Sequence, residues 1–108
     1  MNKLTHEQEQ AIMTYLGQIY RKASTILKLY DENGSCRRGD AAYDNQYELV
    51  EIIDGVLKAC SPSSQLIIEN EYLKNHEPKW FISYYAESTY YRYRSAAVNE
   101  FLNLYMSL

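Results

Sequence analysis

Three observations predict an all-α fold for this chain. Apolar residues recur at three- and four-residue steps through its long stretches, the spacing that gathers them on one side of a helix. Helix start signals stand ahead of two of those stretches, a Thr5-x-x-Gln8 capping box and a Ser61-Pro62 pair. No sustained alternation of apolar and polar residues marks a half-buried strand, and no hairpin dipeptide joins two apolar runs. The breakers divide the pattern into about five helices in one domain, residues 1–108.

The first helix opens at the capping box. Its stripe comprises Ile12, Tyr15, Leu16, Ile19, Ala23, Ile26, Leu27 and Tyr30. A stripe of about 25 residues is long for so small a domain, so either it is a long core helix or part of it packs on a second subunit. Residues 31–44 read as a loop with breakers at Asn33-Gly34 and Gly39. It holds Arg37-Arg38, a solvated cluster balanced by Asp31, Glu32, Asp40 and Asp44 or a phosphate contact. A second helix over about 42–59 presents Tyr47, Leu49, Val50, Ile53, Val56, Leu57 and Cys60 on one face. Gly55 interrupts that helix at a cost of about 1 kcal/mol relative to Ala, which close approach of another helix would explain. Ser61 and Pro62 start a third helix that runs to about residue 74, and Asn75-His76-Glu77-Pro78 ends it.

Residues 77–102 read as a helix-turn-helix. The first motif helix spans about 78–85 with Pro78 at its first position, the turn lies at Ala86-Glu87, and the second helix opens with Ser88 as N-cap. On that second helix Tyr90, Tyr91, Arg94, Ala97, Val98, Phe101, Leu102 and Tyr105 share the side expected to be buried. Ser88, Thr89, Arg92 and Ser95 face outward, where a major-groove helix carries its base contacts. Arg92 is the leading candidate, since a guanidinium bonds two acceptors of guanine at once. Tyr91, Arg94, Lys79 and Lys74 are candidates for phosphate, with Arg94 snorkelling from the buried side. Trp80 and Phe81 read as the core of the motif rather than as stacking platforms.

The run Ser88-Thr89-Tyr90-Tyr91-Arg92, then Ala97-Val98 and Phe101-Leu102, resembles the C-terminal signature of ArpU-like and RinA-like phage transcriptional regulators, which in turn resemble region 4 of bacterial sigma factors. Leu66 to Leu73 fits the helix that precedes the motif in that family. The likeness covers about residues 61–105. It implies a phage- or prophage-encoded, DNA-binding regulator of transcription in the bacterial cytoplasm. Double-stranded DNA would be its partner, RNA polymerase a possible contact, and residues 1–60 a dimerisation half.

Composition bounds that reading. The 108 residues carry a net charge of −3, and both halves are slightly acidic. This argues against nonspecific polyanion binding, which needs a basic footprint, and leaves room for one basic face. Tyrosine supplies 12 of the 15 aromatics, and its ring and polar tip suit half-buried faces and interfaces. A protein-interaction module docking on polymerase or another regulator is therefore an alternative, as is a viral DNA-packaging protein. Cys36 and Cys60 lack metal spacing and read as free thiols, Cys60 buried and inert. His6 and His76 stand alone as solvated residues, and no catalytic or phosphate-loop motif occurs, so no enzyme activity, cofactor or metal is expected. No apolar run approaches the roughly 18 residues that would span a membrane.

Overall fold

The computed structural model describes residues 3–32 and 41–108. They form four helices and no strand: α1 (His6–Glu32), α2 (Ala41–Ala59), α3 (Pro62–Ile68) and α4 (Glu87–Met106). Two shorter pieces lie between α3 and α4. A π-helical turn, Glu69–Leu73, continues α3, and a 3-10 turn, Trp80–Ser83, precedes α4. Arg37, Arg38 and Cys36 lie outside the described residues.

The capping box forms as expected. The Gln8 amide donates to Thr5 Oγ1 at 3.1 Å, and the Thr5 amide donates to Gln8 Oε1 at 2.9 Å. Along α1 the buried line runs through Met13, Leu16, Gly17 and Ala23, with Ile12, Ile19 and Tyr20 half-buried beside it. Tyr15, expected in the stripe, is 60% exposed. The stripe was centred one residue off, because Tyr15 sits at its edge and a tyrosine tolerates either side. The same holds on α2, where Tyr43 replaces the exposed Tyr47 in the buried set with Ile53, Val56 and Leu57.

The two helical glycines exchange roles. A Cβ on Gly55 would meet nothing within 4 Å, so the close approach expected there is absent. A Cβ on Gly17 would stand 2.5 Å from the Tyr72 carbonyl oxygen. Only glycine lets α1 lie against the π-helical turn at that point.

That turn has a packing cause. Ile67 and Ile68 are buried, and so are Tyr72 and Leu73 five residues on. In an α-helix a five-residue step would turn the second pair well away from the first. The i→i+5 pairing of a π-turn brings both pairs to the core. Asn70 Nδ2 donates to the Leu66 carbonyl at 2.9 Å, supplying a donor where the backbone pairing shifts.

Ser61 sits in the extended N-cap conformation ahead of Pro62, yet its hydroxyl makes no cap bond to α3. The Glu100 carboxylate on α4 instead gathers the polar groups at the start of α3. It accepts from the Ser61 amide at 2.8 Å and from the Ser61 and Ser64 hydroxyls at 3.0 and 2.6 Å. A carboxylate at a helix N-terminus is also favoured by the helix dipole. The hydroxyl of Ser64, then the Ser61 amide, hold Glu100 below the usual carboxylate pKa. The core closes around Met13, Ile53, Ile68, Tyr90 and Phe101, each with no exposed surface.

Candidate nucleic-acid interface

The region ahead of α4 differs from the expected helix-turn-helix. Helical backbone in 78–85 is limited to the 3-10 turn Trp80–Ser83, which brings the helix count to four. Lys79 adopts the left-handed conformation, φ 57°, so no α-helix can start at Pro78. Trp80, Phe81 and Ile82 add poor helix propensity. Ser88 is not the N-cap either. Ala86 takes the extended cap position, φ −64° and ψ 148°, and Glu87 opens the helix. Glu87 then pairs with Lys79 Nζ at 3.6 Å, a contact across the turn that suits an acidic first residue.

What orients α4 is Tyr90. Its ring stacks on Phe81 with centroids 3.7 Å apart and planes 3° from parallel, while Trp80 meets it edge-on at 5.6 Å. Its hydroxyl donates to Glu71 Oε1, which also accepts from Trp80 Nε1 at 3.1 Å. His76, exposed as expected, has its Nε2 3.5 Å from the other Glu71 oxygen. Burial first, then the Glu71 hydrogen bond, push the Tyr90 phenol far above its ordinary pKa, so it remains a donor. Glu71 was read as one residue of an ordinary helix. Its partners are 5 to 19 positions away, and no local pattern points to it.

The outward residues divide into groups. Ser88 and Arg92 are exposed, and Thr89 and Ser95 are half-buried. Arg92 and Ser95 line one groove of about 710 Å³ together with Lys3, His6 and Asn99. Beneath it, Asn99 Nδ2 donates to the buried Glu9 at 2.9 Å and ties α4 to α1. Arg92 makes no ion pair among the described residues, and its guanidinium lies 5.9 Å from the Tyr93 ring centre. Arg94 is half-buried with its guanidinium 4.9 Å over the Tyr91 ring. Tyr91 itself is 42% exposed, which corrects its assignment to the buried face. Tyr91 meets only the edge of the Phe81 cluster, at 5.9 Å, while Tyr90 takes the stacked position.

The lysines are placed apart from Arg92. Lys79 faces Glu87, and Lys74 pairs with Glu69 at 2.7 Å and lines a different cavity. Phe81 is buried and Trp80 half-buried, as a motif core requires. Burial, then the charge of Glu100, raise the Cys60 thiol to about 11, and Cys60 Sγ bonds the Val56 carbonyl. No helix of the described residues is long and apolar enough to cross a membrane. Comparison with protein-family models, curated proteins and solved structures returned no match to this chain.

Proposed function

We propose that this chain is a sequence-specific DNA-binding regulator of transcription, of the kind implied by its likeness to the ArpU- and RinA-like phage regulators, with α4 as the reading helix. The observation that carries the reading is Arg92. It is exposed, has no carboxylate partner among the described residues, and lies one turn beyond exposed Ser88. The opposite side of α4 is anchored by fully buried Tyr90 and Phe101, as base-edge recognition by a rigid element requires. In this reading the 3-10 turn takes the place of the first motif helix. Thr89, Ser95 and Tyr91 flank the reader, and Arg94, Lys79 and Lys74 set its position on phosphates. Lys79 and Lys74 would exchange a carboxylate for a phosphate on binding. Exposed Tyr15 and Leu29 on α1 support a homodimer or polymerase contact through the N-terminal half.

Selection from a random duplex pool supplies the site for the test. Arg92→Ala should weaken binding by about 1–3 kcal/mol and relax base preference at one position. Lys79→Ala should weaken all duplexes alike and flatten the salt slope by about one unit. Unchanged affinity and selectivity in Arg92→Ala, at full thermal stability, would exclude α4 as the reader. The protein-interaction reading would then lead. It is favoured by Ile82 and Tyr84, 63% and 62% exposed, and by Tyr93, 45% exposed, in a composition typical of protein interfaces. Such a module would show no salt-dependent DNA binding.

A further inference from the structure

Arg21 is a half-buried guanidinium without a counter-ion: no carboxylate among the described residues lies within ion-pair distance of it. Its one hydrogen bond among them is to the neutral Tyr72 carbonyl at the end of the π-turn. That carbonyl is held against Gly17, one helical turn before Arg21, so the guanidinium is fixed in place. Arg21 lines a cavity of about 340 Å³ with Thr14, Lys74, Asn75 and His76, a wall rich in hydrogen-bond donors. Glu71 also borders it, but its oxygens are already engaged by Trp80, Tyr90 and His76, and the Lys74 charge is met by Glu69. Arg21 is the cation of the cavity wall that no carboxylate among the described residues meets within ion-pair distance, and Glu71, hydrogen-bonded by the neutral donors of Trp80 and Tyr90, is the acidic side chain on the same wall. A charge withdrawn from water is costly unless paired, and a guanidinium pairs best with a planar or tetrahedral oxyanion through two parallel bonds.

We infer that this cavity, between α1 and the π-turn, is a phosphate-binding site whose principal ligand group is the Arg21 guanidinium, with the Thr14 hydroxyl and Asn75 amide as further donors. The group bound is a phosphate oxyanion, carried either by a free phosphorylated compound or by a nucleic-acid backbone. The site does not depend on α4 reading DNA.

The test is titration of the whole chain with inorganic phosphate, at ionic strength held constant with chloride. At about ten times the dissociation constant the melting temperature should have risen by roughly 5 °C, and it should go on rising with the logarithm of phosphate concentration. Arg21→Gln should abolish that rise, and Lys28→Gln, at an exposed cation elsewhere on α1, should retain it. In the unmodified chain the Arg21 Nε–Hε resonance should move along a saturating curve, which keeps the test decisive if Arg21→Gln does not fold. A rise linear in phosphate concentration is the general effect of an excluded salt and would overturn the inference. So would a rise undiminished in folded Arg21→Gln, or an Arg21 resonance that does not move. Competition between phosphate and a duplex would assign the site to backbone phosphate, and phosphate binding unaffected by duplex would assign it to a free compound.

Discussion

In the α1–α2 hairpin one carboxylate bond, Tyr20 to Asp54 at 2.8 Å, gives way toward Tyr30 to contacts between aromatic rings, whereas α4 is tied by three carboxylates. Tyr30 meets Tyr43 edge-on at 5.6 Å, Tyr43 lies over Tyr47 at 6.2 Å, and Leu29, Tyr47 and Ile52 keep more than a third of their surface in solvent. On α4, Tyr90 reaches Glu71, Asn99 reaches Glu9, and Glu100 binds Ser61 and Ser64 at the start of α3. Aromatic edges slide at small cost. Hydrogen bonds to carboxylates are directional, and leaving a buried one such as that of Glu9 unmade costs about 1–3 kcal/mol. The carboxylate bonds thus fix α4 in rotation and in height.

Two tyrosines test that contrast at its largest. Tyr90→Ala should cost about 3–5 kcal/mol, from the loss of a fully buried ring and an unsatisfied Glu71. Tyr47→Ala, at a ring 43% exposed on the hairpin, should cost less than about 1 kcal/mol. Urea unfolding of the two variants checks both, and equal losses would break the comparison.

The glycines sharpen it next. Gly17→Ala drives a methyl group into a backbone carbonyl and should destabilise by about 1–3 kcal/mol. Gly55→Ala meets open space on an exposed helix face and should stabilise by about 0.5–1 kcal/mol. Opposite signs in thermal melts are the expected result.

The smallest effect is expected from acid. Glu100 has its folded pKa below the ordinary carboxylate value. Its contribution is therefore present above about pH 4.3, the unfolded value, and is lost as pH falls through the lower folded one. Glu100→Gln should be less stable than the parent near neutrality and should narrow that gap as pH drops toward 3. Urea midpoints across that range measure it.

What was legible in the sequence was local. Thr5 and Gln8 cap each other across three positions, so their roles needed nothing else. The apolar spacing placed α1, α2 and α4 within a residue or two. It could not decide Tyr15, Tyr47 or Tyr91, which stand at stripe edges where the partner element settles the matter. Ser88 carried the better intrinsic cap, yet Ala86 took the place because the stack of Tyr90 on Phe81 sets where α4 begins. Gly17, Arg21 and Glu71 left no local sign. Their importance comes from a π-turn more than 50 positions from Gly17, and from side chains that meet only once the chain has folded.

Trp80 is the single tryptophan of a chain with twelve tyrosines. Its indole N–H is bound to Glu71, and its ring stands within 6.2 Å of Phe81, Tyr84 and Tyr90. Light absorbed by the nearby phenols is therefore passed to one indole, whose emission depends on how wet and how charged its surroundings are. The protein carries its own optical reporter at the fastening of α4, and the colour of that emission follows the fastening rather than the hairpin.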